Sequence, residues 1–172
     1  MTGLPAGQLH LSPYDDGWQT LFQEEKSRLQ AAIGGYVLDL QHIGSTSVPG
    51  MPAKPILDIG IAVDNFEKAA RCIPLMEQAG YVYRGEYGIA RRHYFVKGDP
   101  RTHHAHMLEI DSAAWKNHLL FRDYLIRNTA AAREYAELKQ HLAGRFASER
   151  EAYQAGKEGF IKAVLQKAAN PE

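Results

Sequence analysis

Residues 56–63, ILDIGIAV, constrain the fold more than any other stretch of the chain. They are apolar, rich in branched side chains and bounded by Pro55 and Asp64, which reads as a β-strand. Side chains alternate along a strand, so Leu57, Ile59, Ile61 and Val63 share one face and Ile56, Asp58, Gly60 and Ala62 the other. The first set suits a packed core. The second is narrowed to small residues around a single carboxylate. A carboxylate in such a place needs a partner, a metal or water. Gly60 is expected to leave space beside it for a ligand to approach the backbone.

The remaining elements follow from period and punctuation. Residues 16–32 read as a helix with Trp18, Leu21, Phe22 and Leu29 on one side, ended by Gly34-Gly35. Residues 36–43 read as a strand. Asp64 or Asn65 caps a helix running to about residue 79, which Pro74 interrupts and Gly80 closes. Strands are expected at 81–83, 90–97 and 102–110, with a hairpin-type turn at KGDPRT. From Ser112 the pattern turns helical. Ala131, Tyr135, Leu138, Leu142 and Phe146 form one helical face, and Tyr153, Phe160, Ile161, Val164 and Leu165 another. These stripes are read as core packing.

The order predicts an α+β fold in which helices cover one side of a sheet. With 172 residues and no linker, the expectation is one domain, an α/β core over about 9–110 and packed C-terminal helices over about 111–168. Net charge is zero, so bulk attraction to nucleic acid or to an anionic membrane is not implied. The one cysteine, Cys72, permits no intrachain disulfide and reads as a packed thiol. The N-terminus lacks the pattern of a signal peptide, and no apolar run spans a bilayer, so a soluble cytoplasmic protein is expected.

Three groups of residues could carry chemistry. The stretch HIGSTSVPGMPAKP follows the 36–43 strand. Gly44 would let a ligand come close to the main chain, and Ser45, Thr46 and Ser47 offer hydroxyls and amides for a phosphate. The plain alternative is a Ser/Thr/Pro-rich surface connection. In RTHHAHMLEI, His104 and His106 share one strand face, with His103 and Glu109 on the other. Two such histidines and a neighbouring aspartate form a credible divalent site, although a polar, hydrogen-bonded strand face gives the same pattern. Lys54, Arg91, Arg92, Lys97 and Arg101 supply positive charge, as solvated surface or as a phosphate pocket. Helix-borne lysines are usually solvated. Lys157, between Gly156 and Glu158, either follows that rule or reaches the site across the domain.

The blocks HIGSTSVPGMPAKPILDI, RRHYFVKG, RTHHAHMLE, WKNHLLFRDYL, EYAELK and REAYQAGKEGFI, with PYDDGW near the start, closely resemble the GrpB family over about residues 9–165. That resemblance implies a nucleotidyltransferase-like mixed β-sheet with flanking helices, extended here by a helical C-terminus. It implies that Gly44 and Ser45 open a helix holding nucleotide phosphates, and that Asp58 is the first carboxylate of a Mg²⁺ site. The second carboxylate belongs at position 60, which is glycine, and the third has no clear counterpart. Two-metal phosphoryl transfer needs anionic oxygens bridging ions about 4 Å apart. One Asp with two His suits Mn²⁺, Fe²⁺, Ni²⁺ or Zn²⁺ better than Mg²⁺.

Three functions are therefore in play. The first is metal-dependent nucleotidyl transfer from an NTP to an unknown acceptor. Asp58, His106 and Lys54 would be catalytic, and Asp58, His104 and His106 would hold a divalent metal (Mg²⁺ or Mn²⁺, else Zn²⁺ or Ni²⁺). Gly44, Ser45, Thr46, Ser47, Lys54, Arg92 and Arg101 would bind the nucleotide phosphates. The second is a binding module for a nucleotide or other phosphorylated small molecule, near coenzyme A metabolism, because the resemblance extends to a domain fused to some dephospho-CoA kinases. The third is a metal-dependent phosphohydrolase. A membrane partner is not expected. Nucleic acid is disfavoured, with an RNA acceptor left open.

Overall fold

In the computed structural model, residues 2–5, 7–147 and 149–170 are described, Arg150 by its backbone alone. The 56–63 alternation appears as β2 (Leu57–Val63), the second strand of a five-stranded sheet. Helix α1 (Gly17–Ile33) precedes β1 (Asp39–Ile43), and a short 3-10 turn, Ser45–Ser47, separates β1 from β2. Then come α2 (Phe66–Ala69), α3 (Ile73–Gln78), β3 (Tyr81–Tyr83), β4 (Arg92–Lys97) and β5 (His103–Glu109). Three helices finish the chain: α4 (Ala113–Arg127), α5 (Thr129–Arg145) and α6 (Arg150–Ala169).

Strand order is β1-β2-β5-β4-β3. Only β2 and β5 are parallel; the other three pairs are antiparallel. This mixed sheet bears out the expected fold class, but helices cover both of its faces and not one, α1 and α3 on one side and α4 on the other. The long crossover from β2 to β5 carries α2, α3, β3 and β4, as a parallel pair requires.

The predicted faces of β2 separate as expected. Leu57, Ile59, Ile61 and Val63 join Trp18, Phe22, Leu29 and Ile33 of α1 and Met76 of α3 in the main core. On the other face, Ala62 packs with Leu108 and Trp115, where α4 meets the sheet. A third cluster holds α4, α5 and α6 together through Leu125 and Tyr135, with Phe160 and Ile161 packed against them.

Some boundaries move for local reasons. The expected 64–79 helix is split by a 3-10 turn at Ala70–Cys72, and α3 restarts with Pro74 in its first turn, where no N–H bond is lost. Asn65 caps α2, its side chain accepting from Lys68 N at 2.9 Å. The β4 strand starts at Arg92 rather than at residue 90. Tyr87 and Arg91 before it have positive φ of 47° and 59°, which breaks the extended run.

Candidate functional site

Strand register assembles the site. Asp58 lies beside His104 and Gly60 beside His106 across the parallel β2–β5 pair. Tyr94 of β4 lies on the far side of His106. The carboxylate and both imidazoles therefore share the sheet face that α4, α5 and α6 cover. His104 Nδ1 and His106 Nε2 both donate to Asp58 Oδ1, at 3.1 and 3.3 Å.

Arg92 decides the tautomer of His106. Its Nη1 is 3.2 Å from His106 Nδ1, and a guanidinium can only donate. His106 Nδ1 is thus the acceptor, and Nε2 carries the proton given to Asp58. The rest of the guanidinium donates to the carbonyl oxygens of Glu86 and Tyr87. His104 Nε2 is buried and finds no hydrogen-bond partner among the described residues. Burial pushes the Asp58 carboxyl up, but the bonds from His104 and His106 outweigh it and hold the group well below the usual carboxylate range. His106 is pushed down, first by burial, against the Asp58 hydrogen bond. His118 of α4, whose ring lies 5.3 Å from that of His106, is lowered to about 4 by burial and then by the charge of His106.

The Gly44–Ser47 loop divides its three hydroxyls. Ser47 Oγ donates to the Gly44 carbonyl at 2.6 Å. Thr46 Oγ1 bonds His42 Nε2 at 2.9 Å, and Gln19 of α1 bridges the His42 ring and the Ser47 carbonyl. Those two side chains are buried, and Thr46 borders the cavity while Ser47 does not. Ser45 does line it, beside Tyr135 of α5. Gly44 lines the cavity and also makes room for Asp58. At φ 71° a side chain is strained, and a Cβ would sit 2.5 Å from Asp58 Oδ2.

Gly60 overturns the expectation of open space. A Cβ there would lie 2.9 Å from the Trp115 ring and 3.3 Å from Ile43, so the position is filled from α4 and β1. A second carboxylate has no room. For Asp58, His104 and His106 to hold a divalent ion together, the His106 nitrogen facing the carboxylate would have to give up its proton. Among the described residues no group of three or more His, Cys, Asp or Glu is placed to hold a metal ion.

The basic residues scatter. Lys97 lies on the opposite face of the sheet, where its Nζ meets the buried Glu25 at 2.7 Å. Arg91 is held by Glu67 and Glu109, both at 2.8 Å. Arg101 borders a small hollow beside Lys54 and His104, outside the main cavity. The main cavity, about 630 Å³, lies between the sheet and the C-terminal helices. That volume is ordinary for a small-molecule site. Lys54 and Arg92 line it, joined by Lys139 of α5 and Lys157 of α6, with Asp58 as its one carboxylate among the described residues. Sequence reasoning missed Lys139. The signal was there: a lysine sits in an otherwise apolar helical stripe with Tyr135 and Leu142. Tyr153 was read as packing and no role was assigned to His118 or Tyr94, yet all three line the cavity.

Comparisons with known proteins agree with this architecture. The chain is similar to a crystal structure of conserved protein GrpB from Enterococcus faecalis, with TM-score 0.86, 37% identity and coverage of 92% of this chain and 96% of that one. It shares its fold with the Cid1 poly(U) polymerase solved with MgGTP, at TM-score 0.51 and 15% identity over 77% of this chain and 44% of that one. In sequence it is 42% identical over 165 residues to the UPF0157 protein YqkA of Bacillus subtilis, covering 95% of this chain and 48% of that protein. The chain thus spans about half the length of that relative. It is 32% identical to the glutamate-rich protein GrpB of Alkalihalophilus pseudofirmus, covering 96% of this chain and 98% of that one. The family described as GrpB protein matches residues 8–167, and the chain belongs to that family.

Proposed function

We propose that the cavity binds a phosphorylated small molecule, a nucleotide among them, without the two-metal chemistry of nucleotide transfer. The carrying observation is its lining: Lys54, Arg92, Lys139 and Lys157 against Asp58, in a chain of zero net charge. Cations gathered in a cleft with low-dielectric walls favour an anionic guest. Ser45, on the wall facing α5, adds a hydroxyl. The filled position at Gly60 supports binding over transfer, because it removes the second acid that paired metals need.

Metal-dependent nucleotidyl transfer is the second reading. The likeness in fold to Cid1 and the ionised Asp58 favour it. Thermal unfolding and calorimetry with nucleoside mono-, di- and triphosphates and sugar phosphates, in EDTA and in Mg²⁺ or Mn²⁺, separate the two. A ligand at 100 times its Kd stabilises by about 2.7 kcal/mol. The binding reading expects that gain to be equal in EDTA and in metal, with no product and no released phosphate. A gain that needs metal, is lost in Asp58→Asn and comes with product overturns it in favour of the transferase.

A further inference from the structure

We propose that Lys139 and Lys157, with Lys54, form a separate anion subsite on the helical wall of the cavity, which takes the terminal phosphate of a ligand with two or more linked phosphates. This rests on the phosphorylated-ligand reading above and names the part of the ligand held there. Three different segments supply the lysines: the β1–β2 connection, α5 and α6. Lys54 and Lys157 flank one ring, with their Nζ atoms 4.9 and 4.5 Å from the Tyr153 centroid. Lys139 Nζ lies 5.0 Å from the centroid of Tyr135, the residue beside Ser45. Lys139 is only 2% exposed and donates to the Pro52 carbonyl oxygen, and an ammonium group has three N–H donors, so it can also serve a guest. Gly156 brings the helices together: a Cβ there would sit 2.6 Å from Leu142 of α5. Lys157, the next residue, is thereby set close enough to Lys139 for their charges to repel.

Cations gathered on one wall of a cleft favour a guest of the opposite charge. Burial first, and Lys157 second, lower Lys139 to about 7. The negative charge of a phosphate in the subsite opposes both influences and draws a proton onto Lys139. The tyrosines facing it hold their states around neutral pH. Burial keeps the hydroxyls of Tyr135 and Tyr153 protonated, the latter at about 12. Lys54 and Lys157 share the cavity wall with Lys139. Across the cavity, Asp58 stays ionised and His106 and His118 are pushed towards neutrality. Affinity therefore weakens as pH rises above about 7.

Titration calorimetry of the full chain with inorganic tripolyphosphate, ATP and AMP, between pH 7.0 and 8.5 and in buffers of different ionisation enthalpy, tests this. Wild type is expected to bind tripolyphosphate and ATP with proton uptake, and its Kd to weaken about tenfold over that range. AMP should bind more weakly and without the pH slope. Lys139→Arg, which keeps the charge at every pH, should bind with a flat profile. Lys157→Met should lose about tenfold in affinity for ATP and little for AMP. Unfolding curves of the free variants show whether each is folded. Flat wild-type binding, or variants that treat ATP as wild type does, overturns the subsite and leaves the phosphorylated-ligand reading intact. No binding by any of the three ligands at any pH overturns both.

Discussion

At the scale of single residues, the loop after β1 shows how similar side chains acquire different tasks. Ser45 faces the cavity, while Ser47 closes the turn on the Gly44 carbonyl. Ser45→Ala is expected to weaken ligand binding about 5- to 10-fold while leaving the free protein within about 0.5 kcal/mol of wild type. Ser47→Ala should do the reverse, costing about 1 kcal/mol of stability with little change in Kd. Calorimetry and urea unfolding of the two variants read the contrast. Asp58 was legible in the sequence because alternation alone sets its face. The division of labour between Ser45 and Ser47 was not, since it depends on His42 and on Gln19, which comes from α1.

At the scale of elements, β2 and β5 bring the carboxylate and imidazoles together, and α4 decides what else fits. Trp115 lies over Gly60, on the face where a second acid would stand. Gly60→Asp is therefore expected to destabilise by at least about 3 kcal/mol, from overpacking and an unpaired buried charge. Chemical unfolding measures it. A stable Gly60→Asp protein that gains metal binding would show that α4 yields and that the site accepts two acids. Strand periodicity revealed which residues share a face with Asp58. It could not reveal that a helix more than 50 residues later fills the gap beside Gly60.

Across the whole molecule, stability depends on pH through histidines that the fold keeps neutral. His42, stacked on Phe22 at 4.7 Å, is lowered to about 4, chiefly by burial. In the unfolded chain a histidine titrates near 6.5, so the unfolded state takes the proton first. Stability is complete above about pH 6.5 and is lost as pH falls towards 4. The contribution of His42 alone is about 2–3 kcal/mol between pH 7 and 4.5. Urea unfolding at a series of pH values should show that slope, and His42→Gln should reduce it by close to one proton.

The sequence by itself determined most of the strands, the helical C-terminal third, the face of its own strand on which Asp58 lies, the shared face of His104 and His106, and the family. Each is a local or periodic property, carried by alternation, capping and turn residues. Tertiary structure alone decided the chemistry around them. Arg92 became the group that orients His106, Lys97 went to Glu25 beneath the sheet, and the cavity drew its cations from Lys139 and Lys157. Hydrogen-bond partners and buried charges are set by distances between segments far apart in the chain, and no pattern within one segment encodes those distances.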